Sequence, residues 1–106
     1  MITISVAKDF TRFPSGRFRR NGETSGEAFR EIYLEPPLKV GEKVSVELDG
    51  TIGYGSSFLE EAFGGLIRSL QLKPAALRNN LIIKTEDQSL IDEVNSYIEE
   101  AAQKLS

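Results

Sequence analysis

Ile2, Ile4 and Val6 alternate with Thr3 and Ser5 at the start of the chain. A period of two predicts a strand with one face buried. Val44, Val46 and Leu48 repeat the pattern against Ser45 and Glu47 and predict a second strand. Leu81-Ile82-Ile83 is an unbroken apolar run, which suits a central strand covered on both faces. Elsewhere the spacing turns helical. Ala28, Phe29, Ile32 and Tyr33 mark one helix, and Leu59, Ala62, Phe63, Leu66, Ile67 and Leu70 mark another. A third stripe, Leu90, Ile91, Val94, Tyr97, Ile98, Ala101 and Leu105, predicts a final helix over residues 87–105.

The ends of these helices carry their own signals. Thr24 and Glu27 read as a capping box, and so do Ser57 and Glu60. Pro36-Pro37 predicts that the first helix stops near Leu34, because the residue before a proline is pushed out of the helical region. Gly64 and Gly65 fall inside the second helix, at a cost of about 1 kcal/mol each relative to alanine. That cost points to close packing on the sheet or on a neighbouring helix. The order of elements is that of alternating βα units in a single domain of residues 1–106, with a strand-turn-helix core over residues 43–71. The expectation is an α/β fold with a mixed, mostly parallel sheet and three helices. A short edge strand inside the irregular stretch 7–23 would bring the sheet to about four strands.

Composition removes several function classes. The chain has no cysteine and no histidine, so it offers no thiolate, no imidazole base and neither of the softer metal ligands. Asp49, Glu60 and Glu61 are better read as a corner cap and as helix-start charges than as a metal or acid/base set. No catalytic residue, metal or cofactor is expected, and an enzyme is not. A net charge of −3 gives no global pull toward nucleic acid or anionic lipid. No apolar run approaches the roughly 20 residues that span a bilayer, and residues 1–6 lack the build of a secretory signal. A cytoplasmic chain is expected.

Two stretches remain as candidate sites. Residues 7–23 form a loop that, across residues 7–22, gathers Lys8, Arg12, Arg17, Arg19 and Arg20 against Asp9 alone, interleaved with Phe10, Phe13 and Phe18. Such a basic loop can be plain solvated surface. It can also dock on an acidic partner, or on the chain's own last helix through Asp92, Glu93, Glu99 and Glu100. Contact with a nucleotide or nucleic acid through Arg17, Arg19 and Arg20, as in a component of a phage or bacterial conflict system, is the alternative reading. A sequence pI near 5.0 argues against it. The second stretch is Gly53-Tyr54-Gly55-Ser56-Ser57. Its glycines lack the third glycine of a dinucleotide loop and the Gly-Lys of a P-loop, so they read as turn geometry. Ser57 is assigned to the cap. Tyr54, expected to be exposed, and Ser56 are left for recognition, with Phe58 beside them.

The run from Val46 to Ile67, together with Gly16-Arg17 and Ser25-Gly26-Glu27-Ala28-Phe29-Arg30, resembles the STAS-like domains of uncharacterised bacterial and phage proteins. These are related to the STAS anti-sigma-factor antagonists. The resemblance implies a STAS-like fold and a regulatory module working by protein–protein contact. It also implies a protein partner, a kinase of the GHKL ATPase type, and a phosphoacceptor at Ser56. Around that serine the chain carries Gly55 where the antagonists have an aspartate, and Phe58 where they have a glycine. The partner surface expected from these readings comprises Tyr54, Ser56, Phe58, Arg17, Arg19 and Arg20.

Overall fold

The computed structural model describes residues 1–105. Three strands, β1 (Ile2–Ser5), β2 (Val44–Glu47) and β3 (Leu81–Lys84), form one parallel sheet in the order β1-β2-β3. Ile2 pairs with Val44 and Val44 with Leu81, so Ile4, Val46 and Ile83 also share a row. Because side chains alternate between faces, Ile4, Val44, Val46 and Leu81 all point to the helical side and are buried. The other face carries Thr3, Glu47, Ile82 and Lys84, all exposed, with Ser5 and Ser45 buried among them.

This arrangement corrects the expected sheet. It is wholly parallel, and no fourth strand occurs among the described residues. β3 lies at an edge, and Ile82 is 39% exposed on the uncovered face, so the Leu81–Ile83 run is not a central strand. The apolar run misled because only its odd members meet the core.

Four helical rods complete the fold. α1 covers residues 26–39 and α2 covers residues 56–70. α3 is Pro74–Asn80 and α4 is Gln88–Leu105. Phe29, Leu34, Phe58, Leu59, Phe63, Leu66, Ile67, Val94 and Ile98 join the strands in a single core. No described helix is long and apolar enough to cross a membrane.

Both α1 and α2 contain one wide turn, at Arg30–Leu34 and Glu60–Gly64. In α1 the Glu35 amide donates to the Arg30 carbonyl, five residues back rather than four. This explains why Pro36 and Pro37 do not end the helix. The wide turn starts a fresh α-helical segment, Glu35–Lys39, and the prolines occupy its first positions. There a missing N–H costs nothing. The helix therefore runs five residues beyond the predicted stop at Leu34.

The caps also differ from the predicted boxes. Ser25, not Thr24, heads α1: its hydroxyl accepts from the Ala28 amide at 3.1 Å. Gly55 is the N-cap of α2, with no side-chain hydrogen bond. Ser57 therefore does not cap, and Glu60 is not the second half of a box. Glu60 is held elsewhere by arginines, which compete for it more strongly than a backbone amide would.

Candidate functional site

The most heavily built polar structure joins α1 to α2. Arg30 is buried, with Nε donating to Glu35 at 2.7 Å and Nη1 donating to the Glu61 carboxylate at 2.6 Å. Nη1 also donates to the Glu61 carbonyl at 2.9 Å. That carbonyl is available because of the wide turn in α2. The Gly65 amide, which would ordinarily bond to it, donates to Glu60 and Phe63 instead. The wide turn thus creates an acceptor and Arg30 occupies it.

Space for the guanidinium comes from a missing side chain. A Cβ on Gly65 would collide with Arg30 Nη1 and stand 3.1 Å from Cδ and Cζ. Gly26 plays the same part at the head of α1, where a Cβ would run into the Phe58 carbonyl. Gly64 lets the Tyr97 carbonyl of α4 approach to 3.1 Å of where a Cβ would sit. The expectation that these helix glycines serve close packing is met by both a neighbouring helix and a buried cation.

A second cluster covers the first on its solvent side. Glu60 accepts from Arg17 of the basic loop and from Arg68 at 2.6 Å, and Arg17 lies 3.6 Å from Glu61. Burial pushes the carboxyls of Glu35 and Glu60 upward. Hydrogen bonds and charge from their arginines outweigh that, so both lie below the usual carboxylate range. Burial likewise works against the Arg30 charge, but Glu61 and Glu35 more than compensate and its pKa is raised.

The basic loop is far from structureless. Val6–Phe10 forms one wide helical turn, capped by the Ser5 hydroxyl, and Arg19–Asn21 forms one tight turn. Phe10 anchors the loop, packing against Phe29, Tyr33 and Phe58 with ring centroids 5.3 to 6.5 Å apart. Arg19 pairs with Glu31 at 2.7 Å, and Arg20 lies over the Phe18 ring at 4.9 Å. The loop therefore docks on the chain's own carboxylates, but on those of α1 and α2. The last helix, named as the acidic acceptor, instead binds Arg78 through Glu99 at 2.8 Å.

The turn between β2 and α2 departs from expectation at two residues. Phe58 is fully buried, so it cannot meet a partner. Tyr54 is half-buried: its hydroxyl donates to the Leu48 carbonyl at 2.5 Å and its ring packs on Phe58 at 5.8 Å. Burial pushes its phenol up to about 12. Gly53, at φ 141°, gives the backbone the reversal that folds Tyr54 inward. Asp49 accepts from the Thr85 hydroxyl at 2.6 Å and the Glu86 amide at 3.1 Å, tying the ends of β2 and β3 together.

What remains open is the outer rim of the same turn. The Ile52 amide donates to the Arg12 carbonyl at 3.0 Å, so the turn and the basic loop meet. Ile52 and Phe13 are left 73% and 60% exposed, and Arg12, which precedes Phe13, is also exposed. Ser56 and Ser57 are exposed at the head of α2, and the Ser56 hydroxyl reaches the Tyr97 side chain. In the sequence Phe13 reads only as one of the aromatics interleaved in the basic loop, and Ile52 is not singled out at all. No group of described residues is arranged to hold a metal ion.

These features define a small parallel α/β sheet with its helices packed on one face. A family model for a STAS-like domain of unknown function matches residues 25–90, and the chain belongs to that family. No match was found among curated proteins or among solved structures.

Proposed function

We propose that the chain is a regulatory docking module that acts by protein–protein contact. Its contact surface is the rim where the β2–α2 turn meets the basic loop, continued onto Ser56 at the head of α2. The supporting observation is the Ile52–Arg12 backbone hydrogen bond. It joins two segments remote in sequence and leaves Phe13 and Ile52 exposed beside it. Exposed apolar side chains held on ordered backbone are the usual material of interfaces.

In this reading Ser56 is the phosphoacceptor and a GHKL-type ATPase is the kinase, as the resemblance implies. Ser56 is exposed, and Gly55 leaves the amides at the head of α2 without a side-chain cap. A phosphate there would add roughly −1.5 to −2 charge beside those amides. It would also face the Glu93 carboxylate that accepts from Tyr97 at 2.7 Å. The result would be an altered surface on an unaltered core.

The test is affinity for a protein captured from the native host, with Ile52→Asp and Ser56→Asp compared against the parent chain. The expected outcome is strong loss with the first and a measurable change with the second. If neither substitution alters affinity, the surface has been placed wrongly.

A further inference from the structure

The sheet has one bare face. Wholly parallel sheets occur almost only with both faces covered. Here the core lies on the side of Ile4, Val44, Val46 and Leu81, and the opposite side stands open at Thr3, Glu47, Ile82 and Lys84. Ser45 is at the centre of that open side, in a row with Thr3 and Ile82. It is fully buried, yet its hydroxyl has no hydrogen-bond partner among the described residues. On a face built for water such a hydroxyl would be wet. This one is dry and unpaired, which is unfavourable.

Two charges bracket Ser45 on the same strand. By alternation Lys43 and Glu47 point to the side of Ser45, one before it and one after. Both are exposed, and neither side chain has an ion pair or hydrogen bond among the described residues.

This pattern complements itself in one orientation. Let a second copy lie face to face with its strands antiparallel, so that the two-fold axis crosses the row of Thr3, Ser45 and Ile82. Each residue of that row then meets its own copy, and Ile82, 39% exposed, supplies an apolar contact. Lys43 meets Glu47 of the second copy, and the pair occurs twice. With the strands parallel, Lys43 would meet Lys43 and Glu47 would meet Glu47, which is repulsive. We infer that the open sheet face is a self-association surface, occupied by a second copy of this chain with its strands antiparallel to the first.

A patch that pairs with itself is the ordinary form of a two-fold dimer. The stacked sheets would lie about 10 Å apart. Three strands of four residues make a small interface, so the dimer is reversible and weakens with salt. Neither Ile52 nor Phe13 belongs to this face, so self-association and docking on the rim can fail separately.

The test uses the purified full chain, whose lack of cysteine makes single-cysteine variants clean probes. Sedimentation velocity at rising concentration should show the parent chain passing from monomer to dimer. A short bismaleimide should trap Ile82→Cys, on the axis, as a covalent dimer. It should not trap Ile32→Cys, which is 50% exposed on α1. Lys43→Glu and Glu47→Lys should each raise the dimer dissociation constant about tenfold, and combining them in one chain should restore it. A chain that stays monomeric at every concentration overturns the assignment of this face. So does a dimer in which Ile82→Cys is trapped no better than Ile32→Cys. Failure of the combined exchange to restore association overturns the antiparallel arrangement.

Discussion

Ser56 and Glu60 stand one helical turn apart on α2, yet they belong to regions built on opposite terms. Around Glu60 and Glu61 every charge has a partner, the glycines leave no spare space, and backbone and side chain are interlocked. Around Ser56, Ile52 and Phe13 the backbone is equally ordered, but the side chains are exposed, and Ser56 alone among them reaches a neighbour, Tyr97. The first region can afford no substitution, whereas the second can change its chemistry at little cost to folding. A module whose contacts diversify while its frame persists needs both.

The contrast can be broken most severely at its centre. Arg30→Ala would leave Glu35 and Glu61 buried without their cation, at about 3–5 kcal/mol. Urea unfolding should show the midpoint collapse, and a loss below 1 kcal/mol would mean the seam is not truly dry. Gly26→Ala comes next. Its methyl must displace the Phe58 carbonyl, which is backbone and cannot swing aside. We expect a loss of about 1–3 kcal/mol by the same measurement.

Acid should act on the same seam and spare the rim. Glu35 and Glu60 titrate lower in the folded chain than their ordinary value of 4.5. Below that value the unfolded chain takes up more protons. The stability they confer is therefore complete above about 4.5 and lost as the pH falls through the folded values. Denaturation midpoints between pH 7 and 3 should decline, and Arg30→Met should flatten the decline. A wild-type curve that stays level would contradict the assignment.

Effects become smaller toward the rim. Tyr54→Phe removes the hydrogen bond to Leu48 but keeps the ring on Phe58, so about 1 kcal/mol is expected. Phe13→Ser should leave stability within about 0.5 kcal/mol, with thermal melts of parent and variant nearly superimposed. A large loss there would place Phe13 in the frame rather than on the surface.

Much of the frame was legible because periodicity reports burial directly. Ile4, Val44 and Val46 face the core as their spacing implied, and the family match agrees with the motifs around Ser25 and Ser56. The misreadings share a physical cause: local rules gave way to tertiary partners. Ser57 and Glu60 have capping-box spacing, but Arg17, remote in sequence, and Arg68, two turns along the same helix, claim the carboxylate. Pro36 and Pro37 signal a stop that a wide turn, itself without a sequence signature, converts into a start. The basic loop looked like one cationic patch because sequence cannot tell which arginines are already spent. Tyr54 looked exposed because an aromatic flanked by Gly53 and Gly55 gives no hint of the direction in which it folds, and Phe58 fell on the expected partner surface only because it follows the two serines.

A wide turn is, in effect, one surplus residue carried inside a helix. It acts as a spacer that sets the angular phase of everything beyond it. Removing any one residue from Glu60–Gly64 would let α2 relax into a regular helix. It would also rotate Ser56 by roughly 100° relative to Leu66 and Ile67, given 3.6 residues per turn. Length variation in this helix should therefore be far less tolerated than side-chain variation at its head. A single-residue insertion or deletion here would re-aim the exposed serines while the core pattern still appeared intact on paper.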